Sequence, residues 1–428
     1  SRVGGWELEA PLDHRFFVFL RGPLAEGASY VLDVRGVDIE APRYTHAVRA
    51  ARSDGVRGSQ VGWRPGGPVW RGGVSCWTGT GGGLEYPEGL RFEVVEEGSG
   101  ETVFEGALAL ARRASDHDDR ADHSHVEADV LEADFSTLVR PGVYRIAVEG
   151  VGTSFPFPIT PGAWRDAFVV AARGFFHHSR SIALGPPHTD YVRPRGLHPG
   201  DVPIFLSTTG LMDTGNGLNR AAKNNFDELV AGKTDQFAGP EAWGGLMDAG
   251  DWDSRAQHLI VTRYLLEAVE LHPGFFRTVD LNIPESGNDL PDAVDEALFN
   301  LDHYRRMQLP DGGVRGGVES AEHPRLGETS WQESQDVLAY APDVWSSYLY
   351  AGAAARAAVV LDLLGAEGAS VYRETAEKAM RWAEGRPEEE RTRYPQIRDA
   401  RALAGAELFR ATGAEAWHRV FLEASDSG

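Results

Sequence analysis

The sequence has a single cysteine, Cys76, among its 428 residues. One thiol can close no internal disulfide and furnish no cysteine-rich zinc site. Basic residues are in deficit, 42 Lys and Arg against 64 Asp and Glu, for a formal charge of −22. That excess repels phosphate backbones, so nucleic acid is excluded as the expected partner. Long apolar runs are missing too. The best stretch, 351–364, is interrupted by Arg356 and Asp362 and is too short for a bilayer, so no membrane span is expected. No basic-then-apolar leader opens the chain at Ser1, and a processed secreted protein would have lost one. A packed core must hold this fold, with room for an oxygen-ligated ion such as a structural calcium.

Aromatic residues are plentiful. Eleven Trp stand with 31 Tyr and Phe, enough to fill a core and still offer flat faces to sugar rings. The first 160 residues read as strands. Leu90, Phe92 and Val94 alternate with Arg91 and Glu93, and a second alternation runs over 143–148 after the Pro141-Gly142 turn. Short strands between Gly-rich turns predict an antiparallel sandwich. The remainder reads as helices at 163–179, 255–271, 291–308, 343–364, 368–385, 397–412 and 414–424. Such a series fits a bundle, a solenoid or a barrel of helix hairpins, and periodicity does not choose among them. The predicted division is 1–160 for the sandwich and 161–428 for the helices.

Within the helical part, after its first helix, lies an aperiodic stretch, 180–254, rich in Gly, Pro, Asp and Asn. Loops of that length in a compact domain usually carry function. It ends on Trp243-Gly244-Gly245-Leu246-Met247-Asp248-Ala249-Gly250-Asp251-Trp252. Ser254-Arg255-Ala256-Gln257 then reads as a Ser-x-x-Gln capping box that starts a helix near Arg255. Asp248 and Asp251 thus stand before a helix N-terminus, where two ionised carboxylates can share one water as a general base. The plainer reading is an Asp cap or turn. The three glycines and the flanking Trp243 and Trp252 favour a site.

That run resembles the signature of glycoside hydrolase family 9, which includes many cellulases. Asn288 to Glu296 resembles the family's Pro-Asp…Asp-Glu helix start. Met307-Gln308 with Asp311-Gly312-Gly313-Val314 resembles its continuation, and 401–413 a later barrel helix. Gly58-Ser59-Gln60-Val61-Gly62-Trp63, Asp134-Phe135-Ser136 and Pro141 to Arg145 resemble the immunoglobulin-like module that often precedes these barrels. The resemblance runs from about residue 50 to the end. It implies an N-terminal immunoglobulin-like β-sandwich followed by an all-α (α/α)6-type barrel. Seven helices leave that barrel incomplete at the C-terminus, to be completed by a second chain or a further segment. It also implies a secreted, inverting hydrolase of β-linked glycans, β-1,4-glucan foremost, that needs no cofactor for its chemistry. Asp251 would be the catalytic base and Asp248 its partner on the water. The general acid is expected beyond Gly428, about 6.5–9.5 Å from the base in an inverting site.

Glu319, Glu322, Glu328 and Glu333 are the candidate acids within the chain, in a loop with Trp331 and Tyr340. Trp252, Trp331, Trp243 and Tyr340 are the candidate sugar-binding residues. Leu246-Met247, where the family has an aromatic pair, and Trp252 to Arg255 depart from its pattern and leave the exact sugar open. The cluster Asp116-His117-Asp118-Asp119 with Asp122, His123, His125 and Glu127 could hold calcium or zinc, or be a solvated loop. His198 stands where the family often has a metal-site His, without a cysteine to complete the set. Two other functions remain in view: a non-catalytic glycan-binding or surface-structural protein, and an exo-acting glycosidase on amino sugars.

Overall fold

The computed structural model describes residues 2–3, 6–7, 17–22, 24–33, 43–47, 49–118, 122–248, 253–325 and 327–425. The chain forms two compact units, Ser1–Ala167 and Phe168–Gly428.

In the first unit, two antiparallel sheets share one core. One sheet runs in the order Val56–Arg57, Arg71–Val74, Val130–Asp134, Ala109–Arg112. The other runs Gly152–Thr153, Gly142–Val148, Arg91–Glu96, Thr102–Ala107, with Phe157–Ile159 also paired to Gly142–Val148. The alternation read from the sequence sets the faces. Phe92 and Val94 are buried while Arg91 points to solvent. Val74 and Leu131 from one sheet meet Phe92, Val94 and Ile146 from the other. Trp63 packs edge-on against Phe135 at 5.1 Å and Phe157 at 4.8 Å. Tyr144 Oη donates to the Arg140 carbonyl at 2.9 Å, the tyrosine corner of immunoglobulin-like sandwiches.

The second unit carries long helices: α1 (Ala163–His177, begun in the first unit), α2 (Leu259–Leu271), α3 (Asp292–Arg306), α4 (Val344–Leu364), α5 (Ala369–Glu384), α6 (Pro395–Thr412) and α7 (Glu415–Ser425). Each lies within a predicted helical segment, give or take two residues at an end. α4 is the centre of the unit and packs on α2, α5 and α6. Its Ala353, Ala354, Ala355, Ala357 and Ala358 are wholly buried. Small side chains let neighbours approach from several sides. Asp343 caps its start, accepting from Ser346 N at 2.7 Å, and Gly365 ends it at φ 70°. At 21 residues α4 is longer than the 351–364 stretch, and by length and composition alone it could cross a bilayer. Here most of it is buried among the other helices, and Arg356 within it pairs with Glu407.

A five-stranded sheet is the part the all-α expectation lacked. Its order is Lys233–Phe237, Ile204–Gly210, Val337–Ala341, Gly317–Ser320, Ser254–Arg255. Ile204–Gly210 pairs in parallel with Val337–Ala341, and the other pairings are antiparallel. These strands are two to seven residues long; four lie in stretches that read as loops, and Ser254–Arg255 lies where the sequence reads as a helix start. Their partners are far off in sequence, so no local pattern announces them.

The first turn of α3 gathers acids. Asp292 accepts from Leu281 N and Ser286 Oγ, both at 2.6 Å. Glu296 is 4% exposed, and its Oε2 has no hydrogen-bond partner among the described residues. Burial first, then Glu285, Asp295 and Asp292, push Glu296 up to about 8, and burial pushes Asp295 up to about 6. A carboxyl whose folded pKa exceeds its unfolded value favours folding in its protonated form. That contribution is complete below about 4.5 and is lost as pH rises through about 8. Urea melts across that window should show stability falling with pH, with a shallower slope in Glu296→Gln; an unchanged slope in the variant contradicts this assignment.

Candidate active site

The Trp243 to Asp248 segment turns on Gly244 and Gly245, at φ 91° and 84°. Only glycine fits at 245, since a Cβ there would lie 2.3 Å from Ser254 Oγ. Buried donors hold the turn at successive carbonyls. His303 Nδ1 reaches Trp243 O at 3.0 Å and Arg306 Nη2 reaches it at 2.9 Å. Arg180 Nη1 donates to Gly244 O at 3.1 Å and its backbone N–H to Gly245 O at 2.8 Å. His258 Nδ1 lies 3.2 Å from Leu246 O. Arg180 is fully buried, and burial lowers its pKa to about 10, which leaves it cationic at neutral pH.

This turn delivers Asp248 to the wall of a cleft of about 260 Å³. Its side chain is 46% exposed, and Oδ2 accepts from Arg255 Nη2 at 2.9 Å. Asp251 and Trp252 lie outside the described residues. The chain returns at Asp253, whose carbonyl accepts Asp248 N–H at 3.2 Å and whose buried carboxylate also pairs with Arg255.

Arg255 is the hub. The predicted capping box does not form. Ser254 and Arg255 instead pair with Val318 and Gly317 as a sheet edge, and the helix starts next to Arg255, as a 3-10 turn over Ala256–His258 that leads into α2 at Leu259. Ser254 Oγ lies 3.3 Å from Tyr304 Oη, and Gln257 Nε2 donates to Asn216 O at 2.7 Å. The pairing sets Arg255 Nε 3.1 Å from Glu319 Oε2. The same oxygen accepts from Tyr340 Oη at 3.1 Å and Asn216 Nδ2 at 3.0 Å. Burial works against the Arg255 charge, but Glu319 and Asp253 outweigh it and hold its pKa above the ordinary value.

The other sequence candidates scatter. Tyr340 is fully buried and reaches the cleft only through Glu319. Trp243 is committed to the Arg306 guanidinium, 3.8 Å from its ring centroid, and His198 stacks beside it at 6.3 Å. Neither Trp243 nor Trp331 lines the 260 Å³ cleft. Phe226 does, with His323 edge-on at 4.8 Å, and neither was singled out as a sugar contact from sequence. Of the candidate acids, Glu319 has three donors on one oxygen, the setting of an ion-pair acceptor rather than a proton donor. Glu322 is exposed in the cleft, and Glu328 is half-buried outside its lining. Burial raises the Glu333 pKa, but its carboxylate faces Ser320 Oγ at 2.5 Å and Gln335 N at 2.6 Å. Asp118 pairs with Arg112 at 2.6 Å and accepts from His125 N. Among the described residues the acidic and His-rich stretch from Asp116 to Glu127 gathers no metal-ligand trio; Asp248, Asp253 and His258 do. Asp253, Arg255 and Asn216 were missed as site residues. The one signal in sequence was the departure from the family pattern after Asp251.

Residues 52–153 match the family model described as the cellulase N-terminal ig-like domain. Endoglucanase D of Acetivibrio thermocellus is 28% identical over 187 residues, 44% of this chain and 26% of that protein. A xyloglucan-specific endo-beta-1,4-glucanase of Bacteroides ovatus is 26% identical over 243 residues, 54% of this chain and 36% of that protein. The crystal structure of a metagenome-derived glycoside hydrolase family 9 endoglucanase superposes with a TM-score of 0.65 at 26% identity, covering 86% of this chain and 63% of that one. The matched part of this chain thus spans about a third or less of the curated relatives' length.

Gly245→Ala should lower stability by more than about 1 kcal/mol, because the turn needs φ near 84° and the Ser254 hydroxyl fills the space. Thermal denaturation measures it, and a melt matching the parent protein would mean that the turn relaxes freely.

Proposed function

Because this chain is kin to the glycoside hydrolases of family 9 that carry an N-terminal immunoglobulin-like domain, we propose that the protein hydrolyses β-1,4-linked glucans with inversion. The observation that carries the reading is Asp248. It sits on the wall of a polar cleft, three residues before Asp251, and is paired to the half-buried Arg255 guanidinium at 2.9 Å. Asp251 is the base that removes a proton from water, and Asp248 aligns that water. Arg255 donates to Asp248 Oδ2 and fixes the direction of that carboxylate. A glutamic acid protonates the departing glycosidic oxygen on the opposite side of the sugar ring. Exposed His323 offers ring surface for the sugar, with buried Phe226 edge-on behind it at 4.8 Å. The substrate is an extracellular polysaccharide, and no cofactor enters the chemistry.

A glycan bearing protonated amines is the second reading. It is favoured by the charge of the cleft, where Asp248, Asp253, Glu319 and Glu322 face the single guanidinium of Arg255.

The test is a reducing-end assay of the full-length protein on carboxymethyl cellulose, xyloglucan, mixed-linkage glucan and chitosan oligomers. Asp248→Asn and Asp251→Asn should each lower kcat by about 10²–10⁴ while glycan binding persists. Proton NMR of the first product should show the α anomer. Undiminished turnover in both variants removes the mechanism. Binding without turnover on any glycan favours a non-catalytic glycan-binding protein.

A further inference from the structure

Asp253 and His258 have no role in the hydrolytic reading, yet both stand beside Asp248. One oxygen of Asp248, one of Asp253 and one nitrogen of His258 lie within 4.8 Å of one another. Two donors bonded to one ion at about 2.1 Å stand at most about 4.2 Å apart. The trio therefore needs to close by less than about 1 Å, and half-exposed Asp248 has room to supply that movement.

Proximity alone would mean little. Asp253 is only 2% exposed, and its Oδ1 has no hydrogen-bond partner among the described residues. Buried carboxylate oxygens are normally satisfied, so this one asks for a donor or a cation. Arg255 does not answer it, because the guanidinium engages the Oδ2 atoms of both Asp248 and Asp253. The other oxygen of Asp253 is left without a partner among the described residues.

His258 adds an independent indication. Its Nδ1 lies 3.2 Å from the Leu246 carbonyl, which can only accept. In the tautomer that donates Nδ1–H to this carbonyl, the lone pair sits on Nε2. An imidazole whose far N–H is donated to a backbone carbonyl has the usual bearing of a metal ligand. The Arg255 N–H approaches the same Nδ1 at 3.4 Å, the longer and weaker contact.

We propose that Asp248, Asp253 and His258 form a binding site for a first-row divalent metal ion of the zinc type. Two carboxylate oxygens and one imidazole nitrogen suit zinc or its neighbours, whereas calcium and magnesium favour oxygen alone. The site stands whether or not the protein hydrolyses glycans. If it does, the ion takes a carboxylate that the reaction needs for water, and zinc is an inhibitor.

The experiment is isothermal titration of the EDTA-treated, full-length protein with zinc chloride and, separately, calcium chloride. We expect one zinc per chain, bound at least about tenfold more tightly than calcium. Asp253→Asn and His258→Gln should each weaken zinc at least about tenfold, with circular dichroism confirming that they fold. Asp248→Asn, at a half-exposed position, should do the same and decides the matter if the buried variants unfold. Failure of the parent protein to bind zinc overturns the proposal. So does zinc binding of parental strength in the folded variants, which would place the ion elsewhere, for instance at His123 and His125.

Discussion

One guanidinium, that of Arg255, stands among three carboxylates from separate stretches of chain. Asp248 comes from the glycine turn, Asp253 from the return of the loop, and Glu319 from the neighbouring strand. A buried cation is costly unless its donors are all met, and buried carboxylates are equally costly alone. The fork of Arg255 satisfies both requirements at once, because a planar guanidinium can present separate N–H groups to separate acceptors. Tyr340 and Asn216 complete the shell on Glu319. A lysine could supply the charge but not the fixed fan of directions.

The sequence made the large pieces legible. Alternation over Arg91–Glu96 and Gly142–Val148 marked the sandwich, and the 3.6-residue period marked every long helix. The glycine turn was legible because Gly-Gly before an Asp demands an unusual backbone. The sheet beneath the cleft was not. Ser254–Arg255 is two residues long, and its preceding Ser and following Gln imitate a helix cap. Long-range pairing won over that local signal. Glu319 looked like one of four equivalent loop acids until its strand was known. Tyr340 looked like a sugar platform, although a strand buried on both faces gives it no access to solvent.

The two units divide the labour of stability differently. The sandwich relies on a core of aromatic and branched residues, Trp63, Phe135 and Phe157 among them. The helical unit relies on close approach along α4, where alanines admit neighbours and the Arg356–Glu407 pair ties that helix to α6. All residues lining the candidate cleft belong to the second unit.

The parallel pairing of Ile204–Gly210 with Val337–Ala341 joins stretches more than a hundred positions apart. During synthesis the ribosome releases the first long before the second. The sandwich residues have all emerged by then and can settle early. The glycine turn, too, is made while Glu319 and Tyr340 are still unwritten. Until Val337–Ala341 appears, Ile204–Gly210 has an open flank, and the acids at the cleft lack the strand that aligns them. Any pause or cut of the nascent chain between those two strands leaves an exposed edge, the kind of surface that chaperones guard and that aggregates when unguarded.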